Sequence, residues 1–326
     1  MTGTQTNFSV TVLHLRFLLQ AETVVHLGPQ AGAQIRGALG AALKEFACTS
    51  PGTNPRELAE HSQHCPMCRL MHLETQQGVR GMNPARPFAV RPPLSVHPEQ
   101  DRLFDRGDTF ELGISLFGDA YDQVGYVAKA VHRMGQIGIG YGRGRFTVRD
   151  AQAVNLLDKT TQALMQKPGV LSRPTLVQTA SDTRKMMKKL DANRLRLRFL
   201  TPTTLTSNGQ TQTHPDLPLL IGRLLERCQS LEAYYTPAPQ PASQWRERHL
   251  DLIERAKQIR SLVNTRWVKV ESGSRRTTER SAMGGFVGEM SLTGDLSPFL
   301  EWMVWGTILH VGKNVVKGNG WYEILT

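Results

Sequence analysis

Hydrophobic and polar positions alternate with period two over residues 9–20, where Val10 and Val12 lead into Leu13, Leu15 and Phe17. Such alternation predicts a half-buried strand. Pro29 then opens a predicted helix over 30–47, whose Ala31, Gly37, Ala38, Gly40, Ala41 and Ala42 imply close packing on a sheet. A polar stretch over 50–83 interrupts the pattern. Residues 88–91 and 109–117 read as middle strands, Asp119 as the N-cap of a helix to about residue 134, and 145–148 as a last strand. Gly135, Gly138, Gly140, Gly142 and Gly144 lie between that helix and that strand.

The second half repeats the first. Leu13-His14-Leu15-Arg16-Phe17-Leu18 returns as Leu195-Arg196-Leu197-Arg198-Phe199-Leu200, and Ser115-Leu116-Phe117-Gly118-Asp119 as Ser291-Leu292-Thr293-Gly294-Asp295. Asp119 precedes Phe146 by 27 residues, and Asp295 precedes Tyr322 by the same interval. From about residue 193 the pattern gives a strand, helices over 218–231 and 243–262, and strands over 265–271 and 285–292. A helix to about residue 309 follows, started by Ser297-Pro298, then Gly312, Gly318, Gly320 and a final strand. Each copy is strand–helix–strand–strand–helix–strand, so the expected fold class is α+β, two tandem ferredoxin-like (βαββαβ) domains. The expected division is 1–150, with an insert over about 48–83, a connector over 151–190, and 191–326. The connector reads as a short helix, then Pro168 and Pro174, then a basic run from Arg184 to Lys189.

Charge changes what this frame suggests. The 326 residues carry a net charge of +11 and a pI near 9.8. Such a surplus favours a polyanionic partner, because cations placed at phosphates release condensed counterions. A hydrophobic content of 40% suits two ordinary cores. No apolar run approaches the ~20 residues of a spanning helix, and residues 1–7 lack the zones of a signal peptide. A cytoplasmic protein without a membrane partner is expected.

Three groups of residues carry candidate chemistry. The glycine stretches bring Tyr141, Arg143 and Arg145 in the first copy, and His310, Lys313 and Lys317 in the second. Glycine lets backbone N–H groups approach a phosphate, and equally lets a helix and strand pack closely. Arg275, Arg276 and Arg280 form a basic loop between predicted strands, suited to bracing an RNA stem or simply solvated. Cys65-x-x-Cys68 is a thiolate half-site for zinc, which Cys48 and a histidine, His64 or His61, could complete. The expected structural zinc site is Cys48, His64, Cys65 and Cys68. Its alternative is reduced thiols in a loop.

Residues Ile35-Arg36-Gly37-Ala38-Leu39-Gly40, the cysteines at 48, 65 and 68, and Asn83-Pro84-x-Arg86-Pro87 carry a resemblance. So does Gly284-Gly285-Phe286-Val287-Gly288-Glu289, with Gly294-Asp295-Leu296, Leu309-His310-Val311-Gly312-Lys313 and Gly318-x-Gly320-x-Tyr322. Together they resemble the CRISPR-associated endoribonuclease of the RAMP superfamily that cuts precursor crRNA within its repeats. The resemblance implies tandem ferredoxin-like domains with a glycine-rich loop before the last strand. It also implies metal-independent cleavage: a 2′-hydroxyl attacks the adjacent phosphate and leaves a 2′,3′-cyclic phosphate, with no cofactor in catalysis. That chemistry calls for an acid–base group and cations. Candidates are His26, just before the first helix, or His310, with Lys313. Arg36, Arg143, Arg145, Arg275, Arg276, Arg280 and Lys317 are the expected RNA contacts. The family often places its histidine near the first helix, and many relatives carry it inside that helix, where this chain has Ala41, Ala42 and Lys44. A non-catalytic crRNA-binding subunit of a CRISPR effector complex is therefore the alternative. Repeat RNA and other effector subunits are the expected partners.

Overall fold

The computed structural model describes residues 8–48, 59–72, 84–167, 170–273, 280–282 and 284–325. In the first half β1 (Val12–Ala21), α1 (Ala31–Phe46), β2 (Phe88–Arg91), β3 (Thr109–Phe117), α2 (Val124–Ile137) and β4 (Phe146–Val154) follow one another. The strands lie in the order β2-β3-β1-β4, all neighbours antiparallel, and a short strand Thr161–Ala163 extends the sheet beyond β4. The second half contains β5 (Arg194–Thr203), α3 (Leu217–Tyr235), α4 (Ala242–Ala256), β6 (Arg260–Val268), β7 (Gly285–Thr293), α5 (Leu300–Leu309) and β8 (Tyr322–Leu325). Its sheet runs β6-β7-β5-β8, again antiparallel, which repeats the order of the first. Among the described residues no helix is long and apolar enough to cross a membrane.

Period two explains both sheets. Leu13, Leu15, Phe17 and Leu19 of β1 are buried in one core with Ile35 and Leu39 of α1 and Val127 and Val131 of α2. Leu195, Leu197 and Phe199 of β5 are buried with α3 and α5, while Arg194, Arg196 and Arg198 between them are exposed. Each fully buried large apolar side chain contributes roughly 1.5–3 kcal/mol, so a one-residue slip of either strand would be costly. Arg196 and Arg198 pair with Glu289 and Glu323 on the flanking strands.

Several local expectations shift. The 243–262 helix ends at Ala256, and the residues from Arg260 to Val268 form the edge strand β6. The helix of the 151–190 segment lies after its prolines, at Ala180–Met187, and holds Arg184 and Lys185 of the basic run. Asp119 does not cap a helix: it sits in a 3-10 turn, Gly118–Gln123, and its carboxylate pairs with Arg69. α5 starts at Leu300 rather than at Ser297-Pro298.

The chain before β1 belongs to the other half. Phe8 packs its ring 4.9 Å from Trp305 and 6.1 Å from both Trp245 and Trp302. Ser9 donates from its amide and its hydroxyl to Glu232 Oε1, each at 3.1 Å. Glu232 Oε2 accepts from Trp245 Nε1 at 3.0 Å, so this buried carboxylate is well supplied with donors.

The two halves also meet at the end of α5. Arg91 of β2 donates to the Thr307 carbonyl at 2.5 Å and lies over the Trp321 ring at 4.5 Å. Arg227 of α3 donates to the Leu309 carbonyl at 2.8 Å and covers Phe117 at 5.4 Å. Both guanidiniums thereby satisfy carbonyls that a helix end leaves open, at its negative pole. Burial pushes the pKa of Arg91 down to about 9 and that of Arg227 to about 10.

Next to them His310 is fully buried, with backbone φ 61° and ψ 169°. Its ring stacks on Trp321 and its Nδ1 lies 3.3 Å from the Asn319 carbonyl. Burial, then the charges of Arg91 and Arg227, hold its pKa well below the ordinary value. Burial and Arg91 do the same to His14, whose Nδ1 meets Ser115 Oγ at 2.9 Å. Both imidazoles stay neutral in the folded chain, whereas unfolded histidines take up protons below a pKa of about 6.5. Below that value the unfolded chain binds more protons, so this stability is present above about pH 6.5 and is lost as pH falls. Denaturant unfolding from about pH 7.5 to about pH 5.5 should show stability falling by up to about 1.4 kcal/mol per histidine per pH unit. His310→Asn should remove about half of that fall.

Candidate functional site

α2 ends at Ile137, and the chain turns back on itself before β4. Ile139 and Gly144 exchange backbone hydrogen bonds at 2.9 and 3.0 Å, and the Tyr141 amide donates to the His26 carbonyl at 2.8 Å. The turn is thus docked on the strand Val25–Leu27. That approach requires glycine: at Gly140, with φ +71°, a Cβ would stand 2.1 Å from the His26 carbonyl oxygen. These glycines therefore serve packing in the first place. Arg143 and Arg145 project from the same turn and are exposed.

Val25–Leu27 pairs with the strand Arg102–Phe104, and His26 stands directly opposite Leu103. Residues two apart on a strand share a face, so Asp101 is the diagonal neighbour of His26. Asp101 Oδ2 lies 2.5 Å from His26 Nε2. The Tyr141 ring packs edge-on against the imidazole at 5.0 Å. Its hydroxyl accepts from Gln30 Nε2 at 3.0 Å, and Gln30 is the residue from which α1 starts. The His26 and Asp101 side chains are 36% and 48% exposed, so a substrate can reach the pair.

Cations gather at the same end of α1. Gly32 is so close to the Lys317 carbonyl that a Cβ would stand 1.8 Å from it. Burial lowers the pKa of Arg36, and Arg86 adds to the effect; burial lowers that of Lys317, and Arg36 adds to it. Like charges that depress one another beside a helix N-terminus form a field that favours an anion. The start of α1 thus brings His26, Arg36 and Lys317 into one region with the Arg143–Arg145 turn.

Other predicted residues fall elsewhere. His310, with no exposed surface and two buried arginines beside it, is closed to a substrate here. Lys313 is exposed, with its amide bonded to the Thr204 carbonyl at 3.0 Å. Arg275 and Arg276 lie outside the described residues, and Arg280 begins a short strand, Arg280–Ala282, paired with Glu271–Gly273. Sequence reasoning missed Asp101 and Gln30. Nothing local marks either, because their partners are 75 and 111 residues away.

The other end of α1 carries the cysteine cluster. Cys48 follows α1, and the helices Ala59–His64 and Pro66–Met71 bring His61, Cys65 and Cys68 to it. Cys48 Sγ lies 3.6 Å from His61 Nε2 and 4.0 Å from Cys68 Sγ, and all four donor atoms fall within 4.8 Å of one another. A tetrahedral ion with bonds of about 2.3 Å separates its ligands by about 3.8 Å, so this set can hold a structural metal such as zinc. The histidine is His61, not His64, which is exposed and outside the cluster. Burial and the neighbouring thiols push the Cys68 thiol up, an effect a bound cation would reverse. Arg69, in the same insert, pairs with Asp119 and lies 5.5 Å from the Tyr235 ring.

Comparison with known proteins bears on the fold. A family model described as an N-terminal domain matches residues 9–176, and that of the CRISPR-associated endoribonuclease Cas6 matches residues 197–322. A Cas6 product complex superposes with a TM-score of 0.55 at 18% identity, covering 97% of this chain and 99% of that one. Thermus thermophilus Cas6 gives 0.52 at 16% identity, with coverage of 97% and 99%. A partial Cas6-RT-Cas1–Cas2 complex gives 0.56 at 11% identity, covering 97% of this chain and 46% of that one. At such identities the superpositions establish a shared fold. No curated protein matches the sequence. Residues 197–322 thus carry the pattern of the CRISPR-associated endoribonuclease Cas6, and the chain as a whole shares its fold with Cas6 structures.

Two glycines of the first turn separate packing from backbone strain. Gly140 and Gly142 share φ +71°, but a Cβ on Gly142 meets nothing within 4 Å. Gly142→Ala should cost about 1 kcal/mol through strain alone, and Gly140→Ala distinctly more, because the turn must leave His26. Thermal unfolding of the two variants checks this.

Proposed function

We propose that this protein cuts precursor crRNA within its repeat, with His26 as the general base. The observation that carries the reading is the partly exposed His26 imidazole, held at the cationic start of α1 beside the Arg143–Arg145 turn. In the reaction His26 takes the proton of a ribose 2′-hydroxyl, and the 2′-oxygen attacks the adjacent phosphorus. The 5′-oxygen leaves, giving a 2′,3′-cyclic phosphate and a 5′-hydroxyl. Arg36, Lys317, Arg143 and Arg145 neutralise the phosphorane's extra charge, as fixed cations aimed at a transition state do. His310 has no part in it, since burial keeps it from the RNA. Lys313, Arg275, Arg276 and Arg280 serve as further contacts to the repeat, outside the chemistry. The turns before β4 and β8 carry Arg143, Arg145, Lys313 and Lys317, and the repeat RNA is the partner these cations fit.

The metal site has a separate task. α1 has 16 residues and so is about 24 Å long, and Cys48 follows its far end. An ion there is too distant to touch the scissile phosphate. We read it as a structural zinc that closes the insert around the end of α1. The purified protein should carry about one zinc per chain by elemental analysis. His61→Ala and Cys68→Ser should lose it, and His64→Ala should retain it.

Cleavage itself is tested with end-labelled repeat RNA in EDTA. The wild-type protein should cut and leave a cyclic phosphate. His26→Ala should slow the single-turnover rate by about 10²- to 10⁴-fold while RNA binding persists. A 3′-hydroxyl product, or full activity without His26, would overturn the mechanism. Tight binding with no cleavage by the wild-type chain would instead mark a non-catalytic crRNA-binding subunit.

A further inference from the structure

Beside His26 stands a carboxylate that the proposed reaction does not name. We infer that Asp101 is a positioning residue for that reaction: it orients the His26 imidazole and stabilises the imidazolium that forms. This inference rests on His26 being the base. An isolated ion pair at this exposure is worth little to folding, about 0–1 kcal/mol, so stability gives no strong reason for the contact. Its geometry, by contrast, is fixed from three sides. The pairs Val25↔Phe104, His26↔Leu103 and Leu27↔Arg102 set the diagonal register that places Asp101 at Nε2. The Arg102 guanidinium is directed to the Gly28 carbonyl at 3.3 Å, which leaves Asp101 for the histidine. Tyr141 closes the ring's flank, itself fastened by its amide to the His26 carbonyl and by its hydroxyl to Gln30.

The chemical consequence follows from which nitrogen is engaged. A hydrogen bond at one imidazole nitrogen decides which nitrogen acts as the base. With Nε2–H donated to Asp101, Nδ1 carries the lone pair. It takes the 2′-hydroxyl proton as the O2′–P bond forms and the P–O5′ bond breaks. The departing 5′-oxygen takes a proton from water, and the imidazolium later returns its own proton to solvent. While the ring is charged, the Asp101 carboxylate lies opposite it at hydrogen-bond distance. The transition state therefore gains more from Asp101 than the ground state does.

Asp101→Ala and Asp101→Glu separate positioning from mere structure. Asp101→Ala should lower the single-turnover cleavage rate by about 10-fold or more. Repeat-RNA affinity should stay the same or tighten, because a negative charge has left a phosphate site. Asp101→Glu should restore part of the rate. In proton NMR of the free protein, the imidazole N–H resonance of His26 should lie downfield and disappear in Asp101→Ala. Cleavage by Asp101→Ala within twofold of wild type, with His26→Ala inactive, would overturn this inference and leave the base assignment intact. So would a rate loss matched by an equal loss of affinity. Full activity of His26→Ala would instead remove the base assignment itself.

Discussion

Two arginines from opposite halves of the chain donate into the last turn of α5, and the joint between the sheets depends on them. Arg91 arrives from β2 and Arg227 from α3, and they take the carbonyls of Thr307 and Leu309. A helix end buried without partners would be expensive, and here the negative pole of the helix is met by two cations. Their own desolvation is severe, as their lowered pKa values record. Stacking on Trp321 and Phe117 offsets part of it. Burial, reinforced by the charge of Arg91, keeps His310 and His14 neutral in this space. The residue that looked most chemical in the second repeat is thus part of the joint.

With the joint closed, α1 becomes the axis on which function is arranged. Its first turn receives the Lys317 backbone from the second half, and the ribbon bearing His26 runs into it. Its last turn leads into Cys48 and the metal-ligand cluster. The small residues of α1 allow this: at Gly32 any side chain would collide with the Lys317 carbonyl, and Gly40 lies against Met71 of the insert. Only one end of the helix has a positive pole, so the proposed anion site and the cysteine cluster are separated by the helix length.

Much of the frame was legible in the residues. Period two located β1 and β5, and the repeated segments and shared spacing announced that the fold is built twice. The Cys65-x-x-Cys68 pair marked the insert as one that could hold a metal, and His26 was one of two candidate histidines, by its place before α1. Other features were legible only in part. His61 and His64 are equivalent as text, and the turn of one short helix selects His61. Asp119 has the chemistry of an N-cap, but Arg69 of the insert claims its carboxylate. Residues 9–11 read as the beginning of the first strand, yet Ser9, with Phe8 before it, docks on Glu232 and Trp305 in the other half.

The sequence alone determined the two α+β repeats, the basic character and the kinds of side chain available for RNA chemistry, because periodicity and composition are local properties. The tertiary structure decided which of those side chains share a site. His26 and His310 are alike in the text, but strand pairing leaves one beside Asp101 at the surface and helix capping buries the other among arginines. Exposure and partner depend on contacts across 75 residues or more, and no local pattern encodes them.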